Sequence, residues 1–299
     1  MIGHEGFTQM LCFVLVLLGC VAFVSPAAAQ SQDGGKDLVT RGQYIFSVAG
    51  GCACHTIPKG TPLAGAREFP IPMAKIYSTN LTADRETGLG GWSDQQVHDA
   101  LVKGINPKGE RLIPAMPYEA YSGMAEEDLK ALIAYLRTLK PVRKENRRPP
   151  ALVHFFRPLV TPLWLKLFGR FYDSPPRAPA SGIERGRYLV DHVSLCSDCH
   201  TPRNFLGVPD RALYLAGAKK GPLGEEIPNI TPDNESGIGE WSRNDIAELL
   251  LTGTKPDLDN VQGLMAEVTE AGYKRMTRED ALAIADYLKS VPAIKNKIK

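Results

Sequence analysis

The chain has 299 residues, of which 43% are hydrophobic and 23% are charged, and its formal net charge is +2. These values are typical of a globular protein with room for two ordinary domains, and they exclude a collagen-like or disordered chain. The near balance of charge also excludes nucleic acid as an expected partner, because binding a phosphate backbone calls for a strongly basic face.

The N-terminus carries an apolar run, Leu11 to Val24, followed by the small residues Ser25 to Ala29. The run is too short for a comfortable bilayer span, and the small residues resemble a cleavage site. Residues 1–29 are therefore predicted to be a secretory signal peptide, which implies a periplasmic protein, soluble or peripheral on the inner membrane. A rival processing site exists, because Leu17-Leu18-Gly19-Cys20 resembles a lipoprotein box that would leave Cys20 lipidated.

Residues 36–142 are predicted to form a small helical domain. A first helix leads into Gly51-Cys52-Ala53-Cys54-His55, a C-x-C-H pattern. Ser93 precedes apolar residues at helical spacing, which predicts a capped middle helix. A terminal helix is predicted from Met124 to Leu139.

Residues 143–180 have a different composition and are predicted to be a linker rich in proline and aromatic residues. Thr161-Pro162 could begin a short helix, whereas Pro158 and Pro162 are expected to prevent a long amphipathic one. We expect this linker to fill the seam between two domains. The alternatives are that it lies on a membrane or docks a partner subunit.

Residues 181–299 contain Cys196-Ser197-Asp198-Cys199-His200, the C-x-x-C-H pattern of covalent c-type haem attachment. Two thiols at this spacing can each add to one vinyl group of a porphyrin, while the adjacent histidine ligates the iron. A redox dithiol or half of a zinc site are the alternatives. The first needs a βαβ setting and the second needs further clustered ligands, and neither pattern is evident in the sequence.

The two regions repeat each other. Arg41-Gly42-Gln43-Tyr44 recurs as Arg185-Gly186-Arg187-Tyr188, and the Trp-Ser segments at 88–93 and 237–242 match at an offset of 149. The repeat predicts an all-α protein with two tandem domains, 36–142 and 181–299, joined by the linker 143–180 after the signal peptide.

The repeat also shows that the first site is one residue short. Arg41 and Cys54 are 13 positions apart, whereas Arg185 and Cys199 are 14 apart, which places the loss between the first helix and the second cysteine. Cys54 and His55 keep their adjacency, so the thioether at Cys54 is expected. Cys52 is left open between a strained second thioether and none. We expect two covalently attached haem c groups, the alternative being a first domain that has lost its haem.

A second axial ligand is expected for each haem iron, and a methionine thioether there would raise the potential. Met116 and Met265 share the 149 offset and are predicted to lie in loops before the last helix of each copy. Met124 and Met276 stand at the start of that helix, where an apolar core residue is the ordinary explanation. We therefore predict His55 with Met116, and His200 with Met265, as iron ligands.

Several segments resemble the cytochrome c subunits of membrane-associated alcohol, aldehyde and gluconate dehydrogenases. They are the glycine-rich Trp-Ser segment 88–93, Pro114-Ala115-Met116-Pro117-Tyr118 and the Cys-His-Thr-Pro-Arg-Asn segment 199–204. The resemblance implies tandem class I cytochrome c domains with Met116 as a distal ligand. Those subunits usually carry three haem domains, whereas this chain has sites for two, so their route to quinone or oxidase is not carried over directly.

The expected function is that of a periplasmic dihaem cytochrome c. It would accept electrons from a dehydrogenase subunit and pass them to a quinone, a cytochrome or an oxidase. One competing class is a dihaem enzyme, peroxidase-like or thiosulfate-oxidising, with an open or exchangeable ligand position at one iron. Another is a one-haem protein whose first domain only binds a partner.

Overall fold

The computed structural model describes residues 27–71 and 74–298. The predicted signal peptide and Cys20 lie outside these residues, apart from Ala27–Ala29. From Asp37 onward the described residues form one compact unit, and Ala27–Lys36 belongs to a separate one. Both copies of the predicted repeat thus fall within one unit, and the boundaries 36–142, 143–180 and 181–299 stay predictions.

Helices dominate the described part of the chain. In order, the elements are α1 (Ala27–Val48), a 3-10 helix (Gly50–His55), β1 (Glu68–Ile71), β2 (Ala74–Tyr77), α2 (Asp94–Lys103), α3 (Tyr118–Tyr121), α4 (Glu126–Arg137), α5 (Ala151–Phe168), α6 (Gly182–Tyr188), a π-helical turn (Leu189–Val193), α7 (Cys196–His200), a 3-10 turn (Arg211–Leu213), α8 (Arg243–Thr252), α9 (Gly263–Ala271), a 3-10 turn (Tyr273–Arg275) and α10 (Arg278–Ser290).

A small hairpin corrects the all-α prediction. Strands β1 and β2 pair antiparallel, with Glu68 opposite Tyr77 and Ile71 opposite Ala74. Each strand has four residues, too few for a clear alternation of apolar and polar side chains to be recognised in the sequence. The fold is therefore mainly helical with one two-stranded sheet.

Glycine allows the first and last helices of each copy to pack closely. A Cβ atom added to Gly42 on α1 would lie 1.9 Å from the carbonyl oxygen of Ala131 on α4. The same atom on Gly186 of α6 would lie 2.0 Å from the carbonyl oxygen of Ala283 on α10. Any side chain at either position would overlap the facing backbone, so both helix pairs require glycine at the crossing.

An arginine–aspartate contact accompanies each crossing, partly buried in the first copy and buried in the second. Arg41 donates a hydrogen bond to Asp128 at 2.7 Å, and Arg185 donates one to Asp280 at 2.7 Å. Asp128 is fully buried and Asp280 nearly so. Each arginine of the repeated Arg-Gly-x-Tyr segment is thus bound to an aspartate of its own copy.

The middle helices begin as predicted. The Ser93 hydroxyl accepts from the backbone N–H of Gln96, and the Ser242 hydroxyl accepts from that of Asp245, each within a complete capping box. Met124 and Met276 are both buried in the core, at 0% and 5% exposure, which agrees with their interpretation as apolar core residues.

Helix α5 departs from the prediction for the linker. It runs without interruption through Pro158 and Pro162, both of which are exposed. Most of its large apolar side chains are also exposed, although α5 contacts both copies, through Arg157 to Glu110 and through Trp164 to Leu206. The expectation of a short helix beginning at Thr161 was wrong, because Thr161 lies buried in the middle of a longer helix. That the linker 143–180 fills the seam stays a prediction.

Candidate cofactor-attachment sites

The helix that leads into each site ends differently in the two copies. The backbone N–H of Ala49 donates to Ile45 O, four residues back, at 2.8 Å. That of Ser194 donates to Leu189 O, five residues back, at 2.7 Å. The second copy therefore contains a π turn that holds one extra residue, and the first does not.

The π turn shows where the two copies differ in length by one residue. Ala49 and Ser194 have nearly the same φ, −76° and −77°, and are each followed by a left-handed residue, Gly50 or Leu195. Each is six positions before the histidine of its site. The one-residue difference thus lies within the helix and not, as predicted, between the first helix and the second cysteine.

The second site is a single turn of helix. α7 spans Cys196–His200 and follows Leu195, whose φ of 57° reverses the chain after the π turn. Cys196 and Cys199 are each half-buried. The C-x-x-C-H motif therefore presents both thiols and the histidine from one short, well-defined turn.

The first site has an altered backbone. Gly50, Gly51 and Cys52 are all left-handed, with φ of 68°, 60° and 50°. By position along the loop Gly51 corresponds to Cys196, but a Cβ on Gly51 would lie 2.6 Å from the carbonyl oxygen of Ala271. The space that a cysteine at 51 would need is taken by the end of α9.

Because position 51 has no space for a cysteine side chain, Cys52 takes its place one residue later. Its side chain is half-buried and packs against the apolar core, as does that of Cys196. The left-handed run thus gives Cys52 the kind of surroundings that Cys196 has, one residue later in the chain. Whether Cys52 forms a thioether stays a prediction.

Both histidines are held in the same way. His55 Nδ1 lies 2.7 Å from Thr79 O, and His200 Nδ1 lies 2.8 Å from Pro228 O. A carbonyl oxygen can only accept, so Nδ1 carries the proton in both rings. Burial lowers the pKa of both imidazoles, outweighing the carbonyl contact that raises it. Each neutral ring therefore keeps the Nε2 lone pair available for a metal ion.

The thiols lie in apolar surroundings. Burial raises the pKa of Cys52 and of Cys196 to about 12, and it also raises the pKa of Cys54 and Cys199. A redox dithiol needs a lowered thiol pKa, so this environment does not suit one. Among the described residues, no group of three or more His, Cys, Asp and Glu side chains could hold a metal ion. Paired thiols beside a neutral histidine fit a covalently attached haem.

The two candidate distal ligands occupy different local structures. Met116 lies in a turn between Pro114 and Pro117, just before α3, as expected for a loop residue. Met265 lies in the first turn of α9, so its predicted loop position was wrong. Both side chains are half-buried and pack against the core. Their role as iron ligands stays a prediction.

Two ion pairs near the sites were not predicted. Arg67, 5% exposed, donates to Glu267 on α9 through both terminal nitrogens and to Thr56 O at 3.2 Å. Arg203 pairs with Asp198 inside the C-x-x-C-H motif. Arg67 thus ties α9 to the residue after His55, and its long separation from Glu267 in the sequence leaves no local pattern that could reveal the pair.

Curated proteins with known roles match most of the chain. The fructose dehydrogenase cytochrome subunit of Gluconobacter japonicus is 38% identical over 94% of this chain and 58% of its own length. The gluconate 2-dehydrogenase cytochrome c subunit of Pantoea cypripedii is 34% identical over 95% of this chain and 66% of its own length. A dihaem c-type cytochrome of Cereibacter sphaeroides is 36% identical over 85% of this chain and 86% of its own length. No protein-family model matches the chain.

Paired cysteines beside a histidine with a free Nε2 define the class, a c-type cytochrome. With relatives at this level of identity, the chain belongs to the family of c-type cytochromes that includes a dihaem cytochrome c and the cytochrome c subunits of fructose and gluconate dehydrogenases. The predicted resemblance to dehydrogenase cytochrome subunits is confirmed. The chain spans 58% and 66% of the two dehydrogenase subunits.

Proposed function

We propose that the protein is a dihaem electron-transfer cytochrome with two tandem class I cytochrome c domains, 36–142 and 181–299. The observation that carries the proposal is the matched histidine geometry. In both copies Nδ1 is bound to a backbone carbonyl oxygen, at 2.7 and 2.8 Å, which leaves Nε2 for iron. A chain that had lost one cofactor would have no reason to keep this arrangement at both sites.

The residues of the chain would hold the two groups as follows. Cys196 and Cys199 would attach one haem, and Cys54, with Cys52, the other. His200 and His55 would ligate the irons from one side, and Met265 and Met116 would fill the opposite positions. Haem c supplies a one-electron Fe(II)/Fe(III) couple when bound.

The direction of transfer is inferred from the relatives. Two of them are, by name, cytochrome subunits of a fructose and a gluconate dehydrogenase. We infer that this chain also accepts electrons from a dehydrogenase subunit and delivers them to a quinone, a cytochrome or an oxidase. The signal-like segment 1–29 supports export to the periplasm.

A reductive titration of the purified haem-loaded protein tests the proposal. The protein should take up two electrons per chain reversibly, and its reduced form should resist carbon monoxide because methionine fills the open position. Avid carbon monoxide binding at either haem would contradict a simple carrier. The altered backbone at Gly50–Cys52 would then favour a dihaem enzyme with an exchangeable ligand at the first iron.

A further inference from the structure

Helix α5 presents an apolar face to the outside of the molecule. Phe155 is 76% exposed, Leu159 71% and Leu167 62%. The further large apolar side chains exposed on α5 are Leu152, Phe156, Val160, Leu163 and Phe168. We call these eight residues the outer face of α5. Soluble proteins rarely leave so many large apolar side chains together in water, so a patch of this kind marks an interaction surface.

The opposite side of α5 makes the polar contacts. Arg157 pairs with Glu110 at 2.8 Å, Thr161 is buried, and Trp164 Nε1 donates to Leu206 O at 2.8 Å. These three residues recur at helical spacing and therefore lie on one side of the helix. The usual pattern, apolar residues inward and polar residues outward, is reversed. The helix is thus anchored to the protein by polar groups while its apolar side chains face outward.

A second exposed apolar segment is bonded to the opposite side of α5. Leu206, whose carbonyl accepts from Trp164, is 46% exposed, and its neighbour Phe205 is 80% exposed. The turn that carries them is closed by a bridge between Arg203 and Pro209. Phe205 is therefore exposed but does not belong to the outer face.

Charge along the segment that carries the outer face has one sign. From residue 146 to residue 172 the sequence contains no aspartate or glutamate. Arg148, Lys166 and Arg170 are exposed there, whereas Arg157 pairs with Glu110 and the backbone N–H of Arg170 donates to Glu119. An exposed apolar helix that carries and is flanked by cations has the composition of helices that lie in a membrane interface and attract acidic headgroups.

We propose that the outer face of α5 binds the surface of a lipid bilayer that carries anionic headgroups. Within the described residues no helix is long and apolar enough to cross a bilayer, so α5 would lie in the plane of the interface. Phe155, Leu159 and Leu163 would enter the acyl boundary, and Lys166 and Arg170 would face the headgroups. This contact does not depend on electron transfer and is tested separately from it.

Vesicle flotation of the purified haem-loaded chain tests the proposal. Vesicles of phosphatidylglycerol and phosphatidylcholine in equal amounts should carry the protein upward, and vesicles of phosphatidylcholine alone should carry less. Raising the salt concentration should weaken the binding to anionic vesicles. All variants share the same N-terminus, so lipid attached at Cys20 would contribute equally to each.

Three variants locate the contact. Phe155→Ser with Leu159→Ser should lower the partition coefficient at least about tenfold, because two large apolar side chains are removed from the interface. Leu258→Ser is the matched control, since Leu258 is 82% exposed but lies in the loop between α8 and α9. This substitution should leave binding unchanged. Lys166→Glu should weaken binding to anionic vesicles by about fivefold or more and leave the weaker binding to phosphatidylcholine unchanged.

Three results would overturn the proposal. One is no binding of the unaltered protein to anionic vesicles, and another is equal binding by the Phe155→Ser, Leu159→Ser variant. The third is a dimer in sedimentation velocity that this double variant abolishes while vesicle binding is absent, which would assign the face to a second copy of the chain. Haem content and the reductive titration, measured on the same samples, separate these outcomes from failure of the electron-transfer proposal.

Discussion

The hydroxyl of Tyr44, on the first helix of the first copy, donates to the carboxylate of Asp280 on the last helix of the second, at 2.6 Å. The reverse contact is also present, because the Tyr188 hydroxyl donates to Asp128 at 2.6 Å. Each aspartate therefore accepts from an arginine of its own copy and a tyrosine of the other. The two copies are joined by a reciprocal pair of hydrogen bonds, one buried and one partly buried.

Removing either tyrosine hydroxyl should loosen this junction. Tyr44→Phe and Tyr188→Phe each remove a hydrogen bond to a charged group, which costs roughly 1.5–3 kcal/mol. Tyr188→Phe should cost more, because the hydrogen bond of Tyr188 to Asp128 is buried whereas that of Tyr44 to Asp280 is only partly buried. Chemical denaturation measures the loss.

Tyr77→Phe is the control for these variants. The Tyr77 hydroxyl donates to Glu68 at 3.3 Å in an exposed hairpin, so its loss should change the free energy of unfolding by less than about 0.5 kcal/mol. Equal losses of the free energy of unfolding in Tyr44→Phe, Tyr188→Phe and Tyr77→Phe would show that the hydrogen bonds between the copies stabilise the protein no more than an exposed one does.

The junction should also make stability depend on acid pH through Asp280. Burial raises the pKa of this carboxyl, but hydrogen bonds from Arg185 and Tyr44 outweigh it and hold the pKa below its ordinary value. The carboxylate therefore contributes stability above its unfolded pKa, about 3.9, and that contribution is lost as the pH falls through the lower folded value.

Asp280→Asn should remove this dependence. At neutral pH it should cost roughly 3–5 kcal/mol, because Arg185 is left buried without its charge partner. Below about pH 4 the difference between the variant and the unaltered protein should shrink. Asp286, which like Asp280 lies on α10, forms a more exposed pair with Arg243 of α8. Asp286→Asn should therefore cost about 1 kcal/mol or less. If the free energy of unfolding of Asp280→Asn differed from that of the unaltered protein by the same amount at every pH, the pH dependence could not be assigned to Asp280.

The sequence predicted candidate attachment residues but not the junction between the copies. Tyr44 and Tyr188 occupy the same position in both copies, so the sequence suggests one role for each within its own copy. Their partners lie 236 and 60 positions away in the chain, and no local spacing encodes such contacts.

The altered backbone of the first site could not be predicted from the sequence, for a different reason. The spacing of two motifs gives the number of residues between them. It does not show whether an extra residue is accommodated in a π turn of one copy or was deleted from a loop of the other. The exclusion at Gly51 comes from Ala271, more than two hundred residues later, so only the folded chain explains why a cysteine is absent there. The capping boxes at Ser93 and Ser242 were predictable because all their determinants are local.

The methionine ligands can be tested by matched substitutions. Met116→Leu and Met265→Leu should each leave haem attached, abolish the sulfur-to-iron band of one oxidised haem and lower its potential, because a thioether favours reduced iron. Met124→Leu, a change in the buried core, should leave spectrum and potential unchanged. Spectra and redox titrations that are unaltered in Met265→Leu would remove Met265 from the ligand set.

Cys52 can be tested through the backbone that positions it. We expect the unaltered protein to give the haemochrome band of a haem with two thioethers, and Cys52→Ser to shift part of that band toward the single-thioether position. Adding Gly51→Cys to this variant restores a C-x-x-C-H spacing. The added cysteine should nevertheless lower the free energy of unfolding further, by about 1–3 kcal/mol, because a side chain at position 51, where φ is 60°, would overlap Ala271 O. A stable double variant with two thioethers would show that Gly51 is not excluded.

The central claim is that the chain carries two haem groups, held at His55 and His200. Pyridine haemochrome quantification combined with intact mass of the purified protein tests it most directly. We predict two haems per chain, with the mass increased by both, and loss of one in the Cys54→Ser and Cys199→Ser variants alike. One haem per chain in the unaltered protein, with no change in haem content on Cys54→Ser, would contradict the claim.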